Sequence, residues 1–229
     1  MSEFDTQLSR LHDQLNQQGE RVLDLTLGAV DAFFDANRAS ALEMIKSDEL
    51  VDQTDILIER ASIQLLALGQ TDPYSIRSVL TIVKVNNELE RIADCGVNIA
   101  ECVPDEESGL KIPMPETFRV MANSVIGMIR DANRALKDRN PELARQVLLF
   151  DDTVDRFKNE ILLDAQSKIA AGTFSVQFGF DLQTVTKSLE RIADHATNIC
   201  EQVIYLETGH TVRHDPEGWS EPFDPKVTE

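Results

Sequence analysis

Glu90 and Asp94 stand four residues apart in the run LERIAD, and Glu190 and Asp194 repeat the pair in a second LERIAD run at 189–194. On a helix, residues i and i+4 share one face, one turn apart. Two upstream runs supply further acids at the same spacing: Asp48 and Asp52 in SDELVDQ, and Asp151 and Asp155 in FDDTVDR. Glu101 and Glu201 extend the downstream stripe, with Asn98 and Asn198 between. Like charges at i,i+4 repel by about 0.2–0.5 kcal/mol, so local helix energetics do not favour the pattern. Protons, arginines or hard cations could offset the repulsion. Carboxylate oxygens are ligands for magnesium, manganese and iron, and helix-borne carboxylates hold such ions in bundles.

The competing account is a solvated acidic face neutralised by Arg91 and Arg191, which adjoin the glutamates. For a single pair that account is the simpler one. Four pairs at equivalent places in two copies favour a cation site. Cys95 occupies the position that His195 holds in the second copy. A thiol or imidazole there could join the acids, although a packed role is the expected one. Arg77, Lys84 and Lys187 are read as balancing nearby acids. His210 and His214 flank a helix end, and neither they nor Trp219 is assigned a ligand role.

Several chemistries lack their signatures. The chain has no GxxxxGK[ST] loop, GxGxxG, HExxH, CxxC or GxSxG. It also has no Glu-x-x-His pair of the di-iron type, because Ile192 stands three residues before His195. A non-enzymatic role is expected. The alternatives are a metal-dependent phosphatase or hydrolase using the same carboxylates, and a metal-free structural bundle that binds partners.

The elements that position these acids follow from the repeat. The LERIAD runs are offset by 100 residues (Glu90 to Glu190) and the upstream runs by 103 (Asp48 to Asp151), so a three-residue indel separates the blocks. Apolar residues at three- and four-residue spacing predict helices over 2–37, 39–68 and 73–102, then 116–138, 141–170 and 175–208. Gly69 with Asp72-Pro73, and Asn140-Pro141, mark a helix end and two helix starts. The expected organisation is a first three-helix unit over 1–103, a linker over 104–115, a second unit over 116–209 and a tail over 210–229. The fold class is all-α, with six helices in two tandem, pseudo-symmetric three-helix bundles packed side by side.

Composition narrows the partners. Forty Asp and Glu against 22 Lys and Arg give a formal net charge of -18, which repels a nucleic-acid backbone. A cation, or a basic patch on another protein, suits it better. The N-terminal stretch is polar and no run approaches the about 18 apolar residues of a membrane span. Cys95 and Cys102 lie about 10 Å apart along one helix, too far for a disulfide. A reduced cytoplasmic chain is expected, reaching at most the inner face of the membrane as a peripheral protein.

NELERIADCGVNIAE (87–101) and SLERIADHATNICEQVIYLETG (188–209) resemble the paired signature helices of the PhoU family. The resemblance runs from about residue 8 to about residue 212 and includes the order of elements: a long helix, an acidic pair, then the ERIAD helix, all twice. It implies six helices in two bundles, with multinuclear iron, zinc or other divalent ions held by E(D)xxxD motifs; manganese and magnesium suit the same oxygens. Carried over, the ligands would be Asp48, Asp52, Glu90 and Asp94 in the first unit and Asp151, Asp155, Glu190 and Asp194 in the second, with Glu101, Glu201, Asn98 and Asn198 as further candidates. The resemblance also implies a negative regulator of phosphate uptake and of the phosphate-starvation response. Its partners would be a phosphate ABC transporter and a membrane sensor histidine kinase, and it would form a homodimer. Cys95 departs from the family's usual histidine, which puts equal metal content in the two halves in question.

Overall fold

A computed structural model describes residues 2–69, 72–104 and 114–212, apart from the side chains of residues 151 and 152. Most of the expected linker, the tail from residue 213 with His214 and Trp219, and the Asp151 side chain lie outside the described residues. The order of elements is α1 (Glu3–Asp35), α2 (Arg38–Leu66), α3 (Pro73–Glu101), α4 (Glu116–Asp138), α5 (Pro141–Leu148), α6 (Asp151–Ala170) and α7 (Val176–Thr208). No described helix is long and apolar enough to cross a membrane.

Local chemistry sets the helix ends. Ser2 and Asp5 form a reciprocal capping box at the start of α1. The carboxylate of Asp72 accepts from the Ser75 amide at 2.9 Å, with Pro73 at the first helical position of α3. The turns after α1 and α4 are copies of each other. Ala36 and Arg139 take left-handed φ values of 50° and 49°. The next residues, Asn37 and Asn140, donate their amides to the carbonyls of Ala32 and Ala135, each at 2.9 Å. The side chains of the same asparagines then cap α2 and α5.

The fifth expected helix, 141–170, is broken. Residues 149 and 150 form a turn between α5 and α6, without any glycine or proline to announce it. The Phe150 amide bonds the Val147 carbonyl at 3.0 Å, and the Thr153 amide bonds the Phe150 carbonyl at 3.0 Å. These i→i+3 bonds tighten the chain locally. Leu149 and Phe150 face solvent, so no core packing opposes the break.

Each LERIAD run divides its labour by residue type. Leu89, Ile92 and Ala93, and likewise Leu189, Ile192 and Ala193, are fully buried. The acids and arginines of the runs take the outer face. On the partner helices, Val51 and Ile58 in α2 match Val154 and Ile161 in α6, all buried, which holds both acidic runs in one register. Helices α3 and α7 pack against each other at the centre, α1 and α2 flank α3, and α4, α5 and α6 flank α7. One apolar core runs through both units.

Candidate functional site

One contact fixes α2 beside α1 and another fixes it beside α3, and together they aim the first set of acids. In the core, Gln18 of α1 donates its amide to the Val51 carbonyl at 2.7 Å, between Asp48 and Asp52. Asn86 of α3 donates to the Asp55 carboxylate at 2.6 Å and to the Asp55 carbonyl at 3.0 Å. Asp48, Asp55, Glu90 and Asp94 are half-buried and Asp52 is exposed.

The acids of the two helices feel each other. Burial, then the charges of Asp52 and Asp94, pushes the Asp48 carboxyl up to about 6 from its ordinary 3.8. Burial, and next the Asp94 charge, raises Glu90; Asp55 and Asp52 add to the effect, while Arg91 opposes it. Asp55 is raised by burial and by Glu59 and Asp52. One oxygen of Asp48, Oδ1, is buried without a hydrogen-bond partner. Such an atom costs about 1–3 kcal/mol unless something engages it. Arg91 lies along the outside, with Nε 3.3 Å from Glu90 and Nη1 3.3 Å from Asp94. It is half-exposed, and it leaves the Asp48 oxygen unmatched.

This face fits a hard cation on two grounds: an unmatched buried carboxylate oxygen, and several carboxyls held above their usual range by burial and then by one another's charge. As placed, no three carboxylate, thiol or imidazole groups among the described residues stand close enough together to bind one ion. Coordination of one ion by three of these groups therefore requires side-chain movement.

The second face differs. Lys158 of α6 places its ammonium 2.5 Å from Glu190 of α7. Asp155 and Asp194 are exposed. Asn198 does not face the acids of its own unit; it donates to Glu88 of α3 at 3.0 Å, and His195 Nδ1 lies 2.7 Å from the same carboxylate oxygen. Cys95 is fully buried, and that burial raises its thiol pKa, with Arg191 opposing. The thiol stays protonated and packed. Asn98 is half-buried, Glu201 half-buried and Glu101 exposed at the far end of the stripe.

Spacing alone did not single out Glu88, Lys158 or Asp55. Lys158 and Asp55 become visible once the 103-residue offset is carried three positions past Asp52 and Asp155. Glu88 carries no motif signal, since its partners come from the other unit.

Comparison with known proteins places the chain. The family model described as PhoU domain matches twice, over residues 15–103 and 118–203. The phosphate-specific transport system accessory protein PhoU homolog of Clostridium acetobutylicum is 33% identical, over 91% of this chain and 96% of its own. PhoU homolog 1 of Thermotoga maritima is 29% identical, over 92% of this chain and 91% of its own. The crystal structure of the phosphate transport system regulatory protein PhoU from Streptococcus pneumoniae superposes with a TM-score of 0.83 at 26% identity, covering 92% of this chain and 99% of that one. PhoU from Pseudomonas aeruginosa gives 0.84 at 28% identity, covering 90% and 100%. With both halves matched by the family model and the whole helical frame shared, the chain belongs to the PhoU family.

Proposed function

We propose that this chain is an accessory regulator of a phosphate-specific transport system, and that its carboxylate faces take up divalent or trivalent metal ions. The double PhoU-domain match carries the first part of this reading. The unmatched Asp48 oxygen within a cluster of raised carboxyls supports the second. Asp48, Asp52, Glu90 and Asp94 would hold the ion on the first face. Asp151, Asp155, Glu190 and Asp194 are the corresponding set on the second, with Glu101, Glu201 and Asn98 at the margins. Bound metal would neutralise the face and fix the carboxylates in one arrangement.

The role is regulatory, not catalytic. The chain would sit on the cytoplasmic side as a homodimer and couple the phosphate transporter to a sensor histidine kinase. Its net charge of -18 suits basic surfaces on such partners. The test joins two measurements. Elemental analysis of purified chain should find iron, zinc or manganese, and the Glu90→Ala, Asp94→Ala double variant should lose a share of it. Affinity capture from membranes of phosphate-rich cells should recover transporter subunits, and phosphate starvation should change that recovery. Unchanged metal content in the variant would refute the assignment of ligands, and capture that ignores phosphate supply would refute the regulatory role.

A further inference from the structure

Carried through both units, the repeat gives two acidic faces that are not chemical equals. At the 103-residue offset that equates Asp48 with Asp151 and Asp52 with Asp155, Asp55 corresponds to Lys158 and Glu59 to Leu162. The buried residues confirm the register through this stretch, since Val51 matches Val154 and Ile58 matches Ile161. On the first face the position carries a carboxylate, which accepts from the Asn86 amide at 2.6 Å. On the second it carries an ammonium, 2.5 Å from Glu190. The Lys158 and Glu190 side chains are only 25% and 26% exposed, so the pair is largely shielded from water.

We infer that Lys158 is a built-in counterion which takes the place of a metal ion on the second face, so that the chain loads metal mainly on the first. The inference rests on the metal-binding reading above and divides it between the halves. A cation approaching Glu190 meets a positive charge already seated on that carboxylate. It must displace the ammonium, and a half-buried ammonium that loses its partner is left without compensation. On the first face the ion pairs among the described residues come from Arg91, on the outer edge, and Asp48 keeps an unmatched oxygen. Two nearly equal sequence motifs thus act differently because of one residue three positions beyond the second of them.

Manganese(II) is the probe, followed by calorimetry and by its EPR signal on the full chain. The natural chain should show one class of tight binding. Asp48→Asn with Glu90→Gln should abolish it. In that background Lys158→Met, which keeps the stem and removes the charge, should raise affinity at the second face by at least about tenfold. The same Lys158→Met change in the otherwise natural chain should raise total bound manganese, and this second measurement does not depend on the disabled first face. Tight binding that survives the first-face substitutions with Lys158 intact would overturn the inference while leaving the metal reading in place. So would a Lys158→Met change without effect in both backgrounds. Absence of manganese from the natural chain and from every variant would remove the metal reading and this inference together.

Discussion

Glu88 of α3 and His195 of α7 meet across the two units, Oε2 to Nδ1 at 2.7 Å, and Asn198 donates to the same oxygen at 3.0 Å. An ionised carboxylate only accepts, so the imidazole nitrogen facing it carries the proton. The side chains of His195 and Glu88 are only 18% and 15% exposed. They lie one residue from Asp194 and two from Glu90. The contact therefore ties the two acid-bearing helices together close to both candidate faces.

Removing that carboxylate should loosen the junction between units. Glu88→Ala leaves the His195 ring nitrogen and the Asn198 amide without their shared acceptor. The expected loss is about 1–3 kcal/mol in urea unfolding. Glu88→Gln, which still accepts, should lose less. Equal midpoints for all three proteins would show that the contact contributes nothing to stability.

Much of this architecture was legible in the residues, and the illegible parts share a cause. Leu89, Ile92 and Ala93 repeat at helical spacing, and their burial follows from that spacing alone. The cap at Asn140 follows from its own side chain and from Pro141. The break at 149–150 could not be read, because neither residue is a turn former and helical periodicity continues through them. Glu88, Asn133 and Gly19 take their meaning from residues more than one hundred positions away. Only packing α3 on α7 and α1 on α4 reveals them. The acid pairs were legible as pairs. Their unequal surroundings, Arg91 and an orphaned oxygen on one side and Lys158 on the other, depend on neighbouring helices.

Asp48 should make the protein less stable at neutral pH than at mildly acid pH, other groups being equal. Its carboxyl titrates near about 6 in the folded chain and near 3.8 when unfolded. The folded state therefore holds the proton more tightly, and this contribution is fully present below 3.8 and lost as pH rises through about 6. In metal-free protein, Asp48→Asn should raise stability at pH 7 by about 1 kcal/mol, after allowing for solvent screening of a half-exposed group. The gain should vanish at pH 4. A constant difference across that range would mean that the Asp48 charge is not the cause.

His12 acts in the opposite sense. Burial, reinforced by the Arg139 charge, lowers its imidazole to about 4 from the ordinary 6.5, and its Nε2 is buried without a hydrogen-bond partner. The unfolded chain takes the proton first as pH falls. Stability from this group is thus complete above 6.5 and drains away as pH falls toward about 4, by on the order of 2 kcal/mol. His12→Leu should flatten that arm of the pH–stability curve. Combined with Asp48→Asn, it should remove both opposing slopes between pH 4 and 7, as followed by thermal melting at several pH values.

Gly19 is a test of how tightly α1 must approach α4. A Cβ built there would meet Asn133 Oδ1 at 2.7 Å and Cγ at 3.0 Å. The Asn133 amide is not free to retreat, since it donates to the Gly19 carbonyl at 2.8 Å in the buried seam between units. Gly19→Ala would gain about 1 kcal/mol of helix propensity. It would forfeit a buried hydrogen bond and leave its groups unsatisfied, at about 1–3 kcal/mol. The net change should be destabilising by about 1 kcal/mol in the natural chain. With Asn133→Ala already in place, the clash and the bond are both gone, and the same Gly19→Ala change should stabilise instead. A double-mutant cycle by urea unfolding reads that reversal directly. If Gly19→Ala has the same effect in both backgrounds, α1 and α4 are not held at this distance by the Asn133 amide.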